Sequence, residues 1–155
     1  MTITKEPIDQ AEAELVALAK TDIAFGPRYI DGDDGVFERS TTYVEKFFAM
    51  EGIQTSRVPH SKEYMEVLEK SAYLPCILPM IIISGACLSQ NPALVEAVIT
   101  VVSNYIKDYF AQSMGSEKKV KCKIVTGCTK IVYEGPPEEF KEIKSILEAI
   151  KDEQK

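Results

Sequence analysis

Apolar positions first recur at helical spacing between Pro7 and Lys20, where Ile8, Ala11, Leu15, Leu18 and Ala19 share a face. Pro7 suits a first helical turn, and the acids around it sit where the helix dipole favours them. From Thr21 to Arg39 the periodicity stops. Gly26-Pro27, Gly32 and Gly35, interleaved with aspartates, predict a long loop. Residues 1–39 therefore read as an acidic N-terminal helix plus loop, an extension to a single domain over residues 40–155.

A second helical stripe, Tyr43, Val44, Phe47, Phe48 and Met50, spans Thr41 to Glu51 and ends at Gly52, a natural left-handed C-cap. Ile53 to Val58 alternates weakly before Pro59 and predicts a short strand. Ser61 is placed to cap a further helix carrying Tyr64, Met65 and Leu68. Between Lys70 and Glu96 there is no charged residue, and Leu74 to Leu88 is almost wholly apolar. Pro75, Pro79 and Gly85 interrupt that run, so a buried core segment is expected rather than a membrane span.

Asn91-Pro92 then opens a long helix: an N-cap residue followed by proline at the first helical position. Continued to Gln112, it would be roughly 33 Å long. Its apolar residues, among them Val98, Val102, Tyr105, Ile106, Tyr109 and Phe110, spread over roughly 220° of arc, twice what a one-sided helix needs. Either the segment 73–89 of the same chain covers the second side, or another copy does.

The end of the chain predicts a hairpin and a helix. Val120, Cys122 and Ile124 alternate with Lys119, Lys121 and Lys123, and Thr129 to Glu134 follows a turn at Gly127. Pairing Ile124 with Thr129, Cys122 with Ile131 and Val120 with Tyr133 keeps one face apolar but sets Lys123 against Lys130. Gly135-Pro136-Pro137 then opens a helix with one stripe, Phe140, Ile143, Ile146, Leu147 and Ile150. The expected fold is α+β: a small antiparallel sheet with this C-terminal hairpin, packed on helices around the long apolar helix 91–112.

Charge and cysteine usage narrow the classes. The net charge is −6, which weighs against general affinity for nucleic acid or membrane surfaces. The N-terminus is acidic and lacks the apolar core of a secretory signal. Cys76, Cys87, Cys122 and Cys128 form no CxxC pair, so reduced thiols in a cytoplasmic protein are the expectation.

Candidate chemistry is sparse. The lone His60 could serve Cys76 or Cys87 as a base, but no Gly-framed nucleophile turn or orienting carboxylate accompanies them. Asp31-Gly32-Asp33-Asp34-Gly35 superficially resembles a calcium loop, yet Gly35 and Val36 stand where that loop needs a ligand and a glycine. The cysteines and histidine lack zinc-ligand spacing, and there is no phosphate-binding glycine loop. No cofactor is expected. Lys118, Lys119, Lys121, Lys123 and Lys130 could meet an acidic partner or nucleic acid. No aromatic stacking groups accompany them, and lysines on an edge strand also serve to prevent aggregation.

The stretches LPMIIISGACLSQNPALVEAVITVVSNYIKDYF and VKCKIVTGCTKIVYEGPPEEFKEIKSIL, in their order of elements, resemble the effector-associated constant components of bacterial conflict and signalling systems. The resemblance covers about two thirds of the chain and implies a compact α+β, non-enzymatic adaptor or effector partner. It carries over no functional residue. The expected function is thus a protein-interaction or adaptor domain, its surface including Val102, Tyr105, Tyr109, Phe110, Lys119, Lys121 and Lys123. Self-association stays open. The alternatives are a small-molecule-binding or enzymatic domain with a pocket of scattered residues, and a membrane-associated protein using residues 73–110.

Overall fold

Two strands at the end of the chain anchor the architecture. Strand β9 (Val120–Thr126) turns through Gly127 and Cys128 into β10 (Thr129–Gly135). Gly127 sits at φ +58°, in the first position of a two-residue hairpin loop, where a positive φ matches the strand twist. The computed structural model describes residues 2–60, 64–67, 76–112 and 119–153. Along the hairpin, Ile124 faces Ile131 and Cys122 faces Tyr133. That register is two residues away from the expected one. The two-residue turn pairs Thr126 with Thr129 and moves Lys123 opposite Val132 and Lys130 opposite Val125, so no lysine pair arises.

The α+β class holds, and the sheet around the hairpin is larger and mixed. On one side β1 (Thr2–Pro7) pairs antiparallel with β10. On the other, β9 lies parallel to β8 (Met80–Ile83), which is antiparallel to β2 (Ile23–Gly26), and β5 (Thr55–Arg57) runs parallel to β2 at the far edge. A two-residue strand β7 (Cys76–Ile77) pairs with the start of β9. A separate three-stranded sheet joins β3 (Tyr29–Asp31), β4 (Asp34–Phe37) and β6 (Met65–Glu66).

Residues 2–39, expected as part of an appendage, instead contribute β1 and β2 to the main sheet. Strand β1 occupies residues expected to be helical at Pro7, because helix α1 (Gln10–Leu18) starts later. Asp9 accepts from the Glu12 amide at 2.8 Å while Glu12 accepts from the Asp9 amide at 2.9 Å, a reciprocal capping box. The expected loop 21–39 contains β2, β3 and β4. Strand β2 escaped notice because Ile23, Ala24 and Phe25 are buried on both faces and so do not alternate. Tyr64 and Met65 are not helical, and Ser61 and Leu68 lie outside the described residues.

Alternation along the strands sorts the core into two layers. Phe25, Ile81, Ile83, Cys122, Ile124, Ile131 and Tyr133 face one way, toward helices α2 (Thr41–Met50), α3 (Gly85–Gln90), α4 (Pro92–Gln112) and α5 (Ile143–Glu153). Ala24, Met80, Ile82 and Val125 face the other way and meet Leu15 of α1. The start of α4 is capped as expected, with the Asn91 side chain accepting from the Leu94 amide at 3.2 Å. A 3-10 turn (Pro137–Glu142) leads into α5, whose Ile143, Leu147 and Ile150 are buried.

Helix α4 packs against α2, α3, the 3-10 turn and α5. Its broad apolar arc is thus covered by its own chain, and α3 supplies part of that cover from within the segment 73–89. A second copy is not required to bury it. No helix among the described residues is long and apolar enough to cross a membrane.

Candidate interaction surface

The seven residues expected to form a surface separate into three groups. Val102 is fully buried and Tyr105 nearly so, both inside the main core cluster, and neither can meet a partner in the folded chain. Tyr109 and Phe110 are half-exposed on the last turns of α4. The lysines belong elsewhere: Lys123 lies on the opposite face of the sheet, beside α1.

Those lysines are largely answered by carboxylates. Glu12, buried on α1, accepts from Lys123 at 3.0 Å and from Lys130 at 2.9 Å. Burial alone would raise the Glu12 pKa, but the Asp9 amide and the two lysines outweigh it and lower it to about 2. Lys119 pairs with Glu134, and Lys121 stands opposite Glu134 across the strands. Strand β9 lies inside the sheet, so the edge-protection role expected for its lysines does not apply. Their charge is spent within the fold, which weakens the case for a phosphate-binding face.

The other chemical candidates are also placed. His Nδ1 of His60 lies 3.1 Å from the Tyr64 hydroxyl. Cys76 and Cys87 are buried in the core, where desolvation pushes their thiols up to about 12 and about 11. A thiolate nucleophile has no support there. Asp31, Asp33 and Asp34 cap the exposed β3–β4 hairpin, with Gly32 at φ +65° in its turn. No group of three or more metal-ligating side chains gathers among the described residues.

What the sequence did not single out is the outer face of α2. Tyr43 is 60 % exposed and Met50 81 % exposed, seven positions apart on one side of the helix. The neighbouring half-buried Phe47 meets Tyr105 edge-on at 5.5 Å, and the aromatic series continues through Tyr109 to Phe110. Lys46 lies 5.7 Å from the centre of the Tyr43 ring. Helices α2 and α4 therefore share a seam that is closed at Tyr105, half-buried at Phe47 and Tyr109, and flanked by the exposed Tyr43 and Met50. The sequence showed the stripe from Tyr43 to Met50 but not which of its members the core leaves exposed.

Elsewhere α2 is held firmly. The Arg57 guanidinium spans the Glu45 carboxylate at 3.0 and 2.7 Å, touches the Thr42 hydroxyl at 3.0 Å, and lies over the Phe37 and Tyr64 rings. This clamp fixes the outer face of α2 relative to the end of β5.

On the far flank of α4 a trough of about 590 Å³ runs between the helix and the 3-10 turn. Ile106, Phe110, Ala111 and Pro137 supply apolar lining, with Lys107, Glu138 and Lys141 alongside. A smaller hollow of about 330 Å³ lies between Glu51 and the first half of α4.

Comparison with family models, with curated proteins and with solved structures finds no match to this chain.

Proposed function

We propose that this protein is a non-enzymatic interaction domain that presents the outer face of α2 and the adjoining end of α4 to a protein partner. The observation that carries this reading is the exposure of Tyr43 and Met50 on a helix clamped by Arg57, with the half-exposed Tyr109 at the end of α4. Large apolar and aromatic side chains held rigidly at a surface are the groups that dominate protein interfaces. The resemblance to effector-associated constant components supplies the setting: an adaptor or effector partner in a bacterial multi-protein signalling or defence system. A cytoplasmic location fits the four free thiols.

The test is co-purification from the native host with wild-type protein and with the double variant Tyr43→Ser/Met50→Lys, identified by mass spectrometry. Both positions are exposed, so the variant should fold normally by circular dichroism. The reading expects a stoichiometric partner that wild type retains and the variant loses. Equal recovery with both proteins contradicts it.

Small-molecule binding is a second reading, favoured by the trough beside α4, whose volume lies in the range of ligand sites.

A further inference from the structure

We infer that the trough between α4 and the 3-10 turn binds a single-chain anionic amphiphile, an unbranched hydrocarbon chain ending in a carboxylate. The inference rests on the second reading above and gives it a ligand class. Three features of the trough argue for it together.

The first is shape. On the helix side the lining runs from Ser103 to Ala111, about 12 Å along the axis at the rise of an α-helix. A long, half-open channel suits an extended chain better than a compact ring system. The second is the lining: Ile106, Phe110, Ala111 and Pro137 offer hydrocarbon surface, which rewards each methylene removed from water.

The third is charge. Lys107 stands on the helix wall and Lys141 on the wall of the 3-10 turn. Neither has a carboxylate partner among the described residues; the same holds for Lys20, Lys46, Lys121 and Lys151, but of these six Lys107 and Lys141 are the two that line the trough. In a chain with net charge −6, two unpaired ammonium groups from separate elements beside one apolar channel mark a place for an anionic head. Among the described residues, Glu138 is the single carboxylate lining the channel. It leaves a net positive charge there and disfavours a cationic head.

Isothermal titration of the full chain with saturated monocarboxylates, from hexanoate to dodecanoate and below their micelle concentrations, tests this. Affinity should rise by up to about fourfold per methylene and level off once the chain exceeds the trough. The matched primary alcohols should bind at least tenfold more weakly, and the matched alkylammonium ions should not bind. Lys107→Glu/Lys141→Glu should cost the carboxylates tenfold or more and leave the alcohols unchanged. Ala111→Trp, at an exposed position that fills the trough, should abolish both.

Equal binding of carboxylates and alcohols would overturn the inference while leaving the small-molecule reading standing. Binding unaffected by Ala111→Trp would place the site elsewhere and overturn it too. Failure of every amphiphile to bind would overturn both. Sedimentation with anionic phospholipid vesicles, without binding of monomeric carboxylates, would replace the free ligand by a membrane surface and would also refute the inference.

Discussion

At the scale of single residues, burial decides which reactive groups remain available. Cys76, Cys87 and Cys122 are buried, and Cys128 is exposed in the hairpin turn. Burial raises the thiol pKa of all three core cysteines, to about 12 for Cys76 and about 11 for Cys87. A thiol reagent at neutral pH should therefore modify one cysteine per chain quickly and the other three only on unfolding. Rapid labelling of Cys76 would contradict their placement. Glu12 makes the matching prediction in acid. Its folded pKa, about 2, lies below the usual 4.5, so the stability it contributes is complete above about pH 4.5 and fades as pH falls toward 2. The size is on the order of 1–3 kcal/mol. Glu12→Gln should lose that much near pH 7 and show a flatter loss of stability between pH 5 and 2 in denaturant titrations.

At the scale of elements, α4 makes the sharpest claim. Val102 is fully buried in the main cluster, and a carboxylate there would be desolvated without a partner. Val102→Asp should cost about 3 kcal/mol or more, seen as a large drop in the denaturation midpoint. A normally stable variant would show that the helix is misplaced. The sequence made this helix legible because Asn91-Pro92 punctuates its start and its apolar arc is wide. The C-terminal hairpin was legible for a similar reason: lysines alternate with Val120, Cys122 and Ile124, and only the register slipped, by the length of the turn. Strand β2 was not legible. A strand buried on both faces loses the alternation that marks an exposed one, and Gly26-Pro27 beside it signals a loop. Tyr109 and Phe110 could be named from sequence as interface residues. Tyr43 and Met50 could not, because only packing shows which side of α2 the core leaves free.

At the scale of the whole molecule, the ends of the chain are joined through one sheet. Residues 2–7 lie along β10, and residues 23–26 sit between β8 and β5. The sheet carries α4 and α2 side by side on one face, and the proposed partner surface is the part of that layer left uncovered. A chain beginning at residue 40 would lack β1, β2 and α1, exposing Ile82 and Val125 of the second core layer. It should be insoluble or molten, with no sharp thermal transition. A cooperatively folded truncation would contradict the integration of the N-terminal segment.

Native-state hydrogen exchange reads that integration most directly, because it reports the opening free energy of each strand separately. If one sheet unites the chain, the amides of Ile23–Phe25 will exchange as slowly as those of Ile81–Ile83 and Val120–Ile124, all through global unfolding. Fast, loop-like exchange at Ile23–Phe25 beside a protected β9 would contradict the account.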